Sequence, residues 1–192
     1  MKIILASLSP RRKEIMELAG YHFDIASKNI VEDFPPHLSH KEIPMHIALQ
    51  KAKAVAADVD LQNTLVIGAD TIVVVNGEIL GKPTDKADAL RMLQLLQNNR
   101  HEVHTGVAIL HQTKEIVFVE TTSVFFNPLS VAACEYYIEK YQPFDKAGGY
   151  ACQEWIGARA INRFEGDYYN VVGLPIYKVS SIIDPLMDEK KD

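Results

Sequence analysis

A serine–proline step followed by two arginines, Ser7-Leu8-Ser9-Pro10-Arg11-Arg12, is the first stretch of this chain with chemistry in it. It lies where a short apolar run, Ile3-Ile4-Leu5, hands over to a segment that reads as a helix opened by Ser9 and Pro10. A helix N-terminus presents unpaired N–H groups and a partial positive charge, which suits phosphate. Arg11 and Arg12 add planar, multidentate donors. Cations are unfavourable in a first helical turn, and a bound polyanion would resolve that conflict. The alternative is a Ser-Pro cap carrying two solvated arginines.

Four further stretches carry groups of the same kind. Gly68-Ala69-Asp70-Thr71 ends a predicted buried strand, and the carboxyl ends of strands in α/β sheets often hold ligands. Asp70 there would hold Mg²⁺ or orient a water, or else cap a turn. Gly81-Lys82-Pro83 offers Lys82 as a point charge for phosphate, ahead of Thr84 and Asp85, which suit a helix cap; no GxxxxGK[ST] phosphate loop occurs. Lys51 and Lys53 flank the apolar stripe of a predicted helix, and Glu32 lies in a proline-bearing loop; solvated side chains are the ordinary reading of both. Asp145-Lys146-Ala147-Gly148-Gly149-Tyr150, followed by Gln153, joins paired glycines to an acceptor and an amide, in either a binding loop or a tight turn.

The seven histidines do not read as a metal site. His101 and His104 lie three apart in a predicted strand, which points them to opposite faces, and no HExxH is present.

The elements that must position these groups follow from periodicity. Strands are expected at Lys2–Ala6, His22–Ala26, Thr64–Ala69, His101–Leu110 and Glu115–Phe126. A hairpin is expected from Ile72–Val75 through Asn76-Gly77 to Glu78–Leu80. Helices are expected from Ser9 to Gly20, Met45–Val59, Asp85–Gln97, Ser130–Tyr141 and Leu174–Ile183, with a long loop at Asn29–Pro44 and a charged tail at Asp188–Asp192. Strands and helices intermix throughout, which predicts an α/β fold with a mixed sheet in one domain spanning 1–192.

Composition narrows the function classes. The chain has 192 residues, 47% apolar, enough for a core without staples. Its net charge of -5 argues against a DNA-coating or membrane-coating role. Cys134 and Cys152 sit among apolar neighbours and read as core fillers, and no stretch has the length of a membrane span. A cytoplasmic protein without nucleic-acid or membrane partners is expected.

The order of the motifs is more informative than any one of them. Leu5-Ala6-Ser7-Leu8-Ser9-Pro10-Arg11-Arg12, Lys51-Ala52, Gly68-Ala69-Asp70-Thr71 and Leu80-Gly81-Lys82-Pro83 come first. His104-Thr105-Gly106-Val107, Asp145-Lys146-Ala147-Gly148 and Asn170-Val171-Val172-Gly173-Leu174-Pro175 follow. Together they resemble the Maf family of nucleoside triphosphate pyrophosphatases over nearly the whole chain. The resemblance implies an inosine-triphosphatase-like α/β fold, with a long mixed sheet, flanking helices and a cleft between two lobes. It implies a homodimer, and a hydrolase dependent on a divalent cation such as Mg²⁺ or Mn²⁺. Within the family, Ser-Pro-Arg-Arg and Gly-Ala-Asp-Thr look like the dTTP/UTP-specific branch.

By the same resemblance Asp70 is the proton acceptor, while Arg12, Thr71 and Gln153 set base preference. Ser7, Arg11, Lys51 and Lys82 would bind substrate phosphates, and Glu32 would join Asp70 as a metal ligand. Leu8 stands where a small residue is common, and Glu154 where glycine usually follows the glutamine. The competing expectations are a pyrophosphatase for 7-methyl-GTP or another nucleotide, and a nucleotide-binding regulator of cell division that does not hydrolyse.

Overall fold

A computed structural model describes residues 1–188, and of the expected charged tail 189–192 lie outside the described residues. Contacts divide the chain into two units. The first is Met1–Asp70, Thr105–Glu120 and Gly173–Asp192; the second is Thr71–His104 and Thr121–Val172. Three long strands are shared between them: β3 (Thr64–Val75), β5 (Arg100–His111) and β6 (Lys114–Phe126).

The mixed α/β architecture with flanking helices is as the sequence predicts. A sheet of 7 strands has the order β2-β1-β3-β5-β6-β7, with β4 paired to β3 off this path. Here β1 is Lys2–Leu5, β2 Asp24–Ile25, β4 Glu78–Leu80 and β7 Ile161–Glu165. The pairs β1/β2 and β1/β3 are parallel, whereas β3/β4 and β6/β7 are antiparallel. Asn76 and Gly77 take φ of 51° and 80°, the left-handed pair that a two-residue hairpin turn requires.

In the first unit, helix α1 (Pro10–Leu18) follows β1, helix α2 (Glu42–Ala56) precedes β3, and the last helix is Ile176–Asp188. Ser9 is the residue before α1 as expected, but its side chain makes no capping bond. Helix α2 begins at Glu42, not Met45, with Pro44 in its first turn. A proline there loses no intrahelical bond, because first-turn amides have no partner inside the helix. Ser39 supplies the start signal, donating from its amide (2.8 Å) and its hydroxyl (2.6 Å) to Glu42. The last helix starts at Ile176, not Leu174, and runs beyond the expected end at Ile183, through Pro185.

Helix α2 lies very close to the sheet. A Cβ on Gly68 would stand 2.3 Å from the Ala48 carbonyl oxygen, and one on Gly106 would stand 2.2 Å from the Pro44 carbonyl carbon. Ala48, Ala52 and Val55 pack there with Ile4, Ala6, Val66, Ala108 and Leu110.

In the second unit, α3 (Lys86–Leu96) is capped by Asp85, whose side chain accepts from the Asp88 amide at 2.8 Å. Helix α4 (Val131–Tyr141) is capped by Ser130 in the same way. Asp85 is one of the two residues, with Thr84, expected to cap α3, and Ser130 stands at the start of the helix expected from it. The sequence reading assigned nothing to α5 (Trp155–Ala160), β7 or α6 (Tyr168–Val172), all at most 6 residues and too short for a periodic signal. The core of this unit joins Leu80, Leu93, Leu96, Val124, Tyr137 and Ile156 with Cys134 and Cys152.

His101 and His104 are both buried and go to different partners, as opposite-facing strand positions must. His101 meets the Tyr150 hydroxyl at 2.7 Å, and His104 the Thr121 hydroxyl at 2.9 Å. Burial pulls His101 down to about 3. Among the described residues no helix is long and apolar enough to cross a membrane.

Two predictions follow from this packing. Gly68→Ala and Gly106→Ala should each lower the unfolding free energy by about 1–3 kcal/mol in urea titrations, because α2 must move away from the sheet. Gly81→Ala, with open space at its Cβ, should change it by less than about 0.5 kcal/mol. For His101, the unfolded chain binds a proton below about pH 6.5 while the folded one does not, so its contribution falls as pH falls from 6.5 toward 3. His101→Phe should therefore lose about 2 kcal/mol less stability than the parent between pH 7.5 and pH 5, measured by denaturant unfolding at each pH.

Candidate functional site

Three segments of the first unit meet at one buried arginine. The Ala6 amide donates to the Ile67 carbonyl at 2.7 Å, which carries the β1/β3 pairing one residue further and sets Ser7 beside β3. Ser7 is buried, and its hydroxyl accepts from the Ser9 amide (3.2 Å) and from Arg12 Nη1 (3.1 Å). Arg12 Nη1 also donates to the Ala69 carbonyl at 2.9 Å, and Nε to the Gly173 carbonyl at 2.8 Å.

Arg12 is 9% exposed. Burial pulls its pKa below the ordinary arginine value, and Arg11 pushes the same way, while Asp70 and Glu32 oppose them. Backbone carbonyls and nearby acids therefore stabilise a cation that the sequence reading left to a polyanion alone. Arg11, the next residue back, is half-buried.

Asp70 is buried, and it is a mid-strand residue of β3. This corrects the expectation that Gly68-Ala69-Asp70-Thr71 closes a strand or forms a turn. The apolar run Ile72-Val73-Val74-Val75 continues the same pleat and buries it.

Facing Asp70 is Lys51 of α2. Its ammonium donates to Asp70 Oδ1 at 2.7 Å and pairs with Glu32 Oε1 at 2.9 Å. The Lys51 side chain is 18% exposed, that of Asp70 12%, and that of Glu32 51%. Lys51 lies three residues after Ala48 and four after Ile47, within the packed stripe and not beside it. Lys53, two residues on, is exposed and pairs with Glu115. That spacing was legible, but a lysine inside an apolar stripe is ordinarily read as snorkelling to solvent.

The first unit thus brings together Ser7, Arg12, Lys51, Glu32 and Asp70. The remaining candidates belong to the second unit. Thr71, half-buried, follows Asp70 in β3. Lys82 is exposed, beside Gly81, whose carbonyl accepts from the Gly148 amide at 2.9 Å. Gly148 has φ of 71° and Gly149 φ of 67°, and a Cβ on Gly149 would lie 3.1 Å from Pro83. The Gly81-Lys82-Pro83 and Asp145–Tyr150 motifs, far apart in sequence, are therefore one structural feature.

Gln153 is exposed, and its Oε1 accepts from the Cys152 thiol at 3.7 Å. Glu154 accepts a short hydrogen bond from the Tyr137 hydroxyl and lies 3.5 Å from the Lys146 ammonium. The Tyr137 hydroxyl in turn accepts from the Ala151 amide at 3.1 Å. The departure at Glu154 thus braces the turn that carries Gln153. Lys146, 8% exposed, also pairs with Asp145 at 2.7 Å. The sequence reading gave this buried cation no role, because a lysine beside glycines looks solvated.

In chemical terms, the first unit offers two carboxylates on one ammonium, with the Arg12 guanidinium near enough to feel both charges, beside the N-terminus of a helix. Such a set can hold a polyanion, position a water and accept its proton.

The chain matches the family model described as Maf-like protein over residues 2–186. It is 50% identical over 184 residues to the dTTP/UTP pyrophosphatase of Cytophaga hutchinsonii, covering 96% of this chain and 82% of that protein. It is 45% identical over 178 residues to the dTTP/UTP pyrophosphatase of Porphyromonas gingivalis, covering 92% and 89%. The dTTP/UTP pyrophosphatase of Bacillus anthracis is 47% identical over 178 residues, covering 93% and 92%. Among solved structures, the Ham1 protein of Staphylococcus aureus overlaps 66% of this chain and 72% of its own, with a TM-score of 0.44 at 20% identity. The match to the family model and these identities over nearly the full chain establish that it belongs to the Maf-like protein family.

Proposed function

We propose that this chain, acting as one catalytic domain, hydrolyses dTTP and UTP to the nucleoside monophosphate and pyrophosphate. The observation that carries the reading is the meeting of Asp70, Lys51, Glu32 and Arg12 in a chain 45–50% identical to proteins named for that reaction. A sensor of nucleotides gains little from a buried carboxylate beside its cations.

In the reaction, a water oxygen bonds to the α-phosphorus while the bridging bond to the β-phosphate oxygen breaks. Pyrophosphate leaves, and the water proton passes to Asp70. The triphosphate carries close to four negative charges, so repulsion of the incoming nucleophile is the main obstacle. Arg12, Lys51 and Lys82 oppose it electrostatically, with Arg11 as a further cation. Ser7 and the N-terminus of α1 grip phosphate oxygens. Thr71 and Gln153 read the pyrimidine.

The donor set fits a divalent cation. Two carboxylates share one ammonium, and Mg²⁺ usually takes one or two carboxylates together with waters and substrate phosphates. Among the described residues no group of three or more His, Cys, Asp or Glu is placed to hold a metal by itself. Asp70 and Glu32 would hold it, and it would neutralise phosphate oxygens and stabilise the leaving group. A cytoplasmic homodimer completes the reading; two buried cysteines in no disulfide suit a reducing compartment.

The test is product analysis on a panel of dTTP, UTP, GTP and 7-methyl-GTP, with and without Mg²⁺. Pyrophosphate from dTTP and UTP alone is expected; inorganic phosphate, or preference for 7-methyl-GTP, rejects the proposal. Asp70→Asn should lower kcat by about a hundredfold or more while melting within a few degrees of the parent, since Lys51 keeps Glu32 as a partner. Near-parental turnover in the purified variant removes Asp70 from the mechanism. Gln153→Ala should change the ratio of UTP to GTP kcat/KM by roughly tenfold or more, because a lost polar contact to the base discriminates strongly. An unchanged ratio removes Gln153 from base recognition.

A further inference from the structure

The ammonium of Lys51 sits where a metal ion would have to sit. It contacts Asp70 Oδ1 at 2.7 Å and Glu32 Oε1 at 2.9 Å, the two acids of the first-unit cluster. Charge and contact distance are those of a cation bridging two carboxylates, and Lys51 is held in place by a helix packed flush on the sheet at Gly68. A divalent ion brought to the same oxygens would meet a fixed positive charge a few ångströms away. At that separation the repulsion in a largely buried site is large compared with thermal energy.

We propose that Lys51 is a surrogate cation that makes metal loading depend on the nucleotide. In the free protein it bridges Asp70 and Glu32, offsets part of their negative charge and keeps a divalent ion off them. When a triphosphate enters, its negative oxygens draw the ammonium away from the carboxylates, and the vacated oxygens become available to the ion that accompanies the nucleotide. Lys51 thus exchanges one set of anionic partners for another, and the carboxylates exchange a monovalent cation for a divalent one. The inference rests on the metal-dependent reading above.

The test measures Mn²⁺ binding to the purified full chain without nucleotide, by electron paramagnetic resonance of free Mn²⁺. The parent should bind weakly. Lys51→Met, which keeps the unbranched shape one atom shorter and removes the charge, should bind Mn²⁺ about tenfold tighter or more, and Lys51→Arg should remain as weak as the parent. Lys51→Gln carries the same expectation as Lys51→Met if the latter does not fold by circular dichroism. Addition of α,β-imido-dUTP, which resists cleavage, should raise Mn²⁺ affinity more in the parent than in the neutral variants.

Two adverse results are separable. If the neutral variants bind free Mn²⁺ no better than the parent, while the parent binds it with the analogue present, the surrogate role is wrong and the metal reading stands. If no protein binds Mn²⁺ even with the analogue, and hydrolysis persists in a chelator, both fail.

Discussion

The close approach of helix α2 to the sheet is the constraint on which the cluster in the first unit depends. At Gly68 and Gly106 there is no room for a side chain between helix and strand. Small residues on both sides, Ala48 and Ala52 on the helix and the glycines on the strands, let the backbones meet. That short separation decides where Lys51 ends. One turn beyond Ala48, its side chain need not climb to solvent, because Asp70 on the adjoining strand is within reach. An ammonium and a carboxylate in a largely buried setting compensate each other, and Glu32 remains a second anionic partner for Lys51 if Asp70 loses its charge.

Arg12 plays the companion part. Its side chain spans from α1 to the carbonyls of Ala69 and Gly173 and to the Ser7 hydroxyl, so one guanidinium ties three segments of the first unit together. Its rigid fork of donors serves for this where a lysine would not. The placement beside Ala69 brings positive charge next to Asp70, and Asp70 returns the favour by opposing the loss of that charge on burial. Under the proposed function, structural and chemical roles would be carried by the same atoms.

The second unit solves a different problem, the bracing of polar loops. Gly148 and Gly149 adopt left-handed backbone, which lets the turn after α4 fold onto Gly81 and Pro83. The Glu154–Tyr137–Ala151 chain of hydrogen bonds, with Lys146 against Glu154, fixes the segment around Gln153 without closing off its amide side chain. Glu154 therefore spends its charge within the unit, on a tyrosine and a lysine.

Sequence alone determined the mixed α/β class, the long helices and strands, the Asn76-Gly77 hairpin, a cap at Thr84 or Asp85, and the family. These are signals of local chemistry and of residue order, which survive without knowing what packs on what. It did not yield α5, β7 or α6, each shorter than a period can reveal, nor the start of α2 at Glu42, where Pro44 reads as a stop but sits harmlessly in the first turn. Nor did it yield Asp70 as a mid-strand residue. Only tertiary structure decided that Lys51 joins Asp70 and Glu32, that Arg12 is held by carbonyls, and that Lys146 is buried. Each of those outcomes depends on the distance between elements remote in the chain, and a residue type carries no information about a partner 19 or 161 positions away.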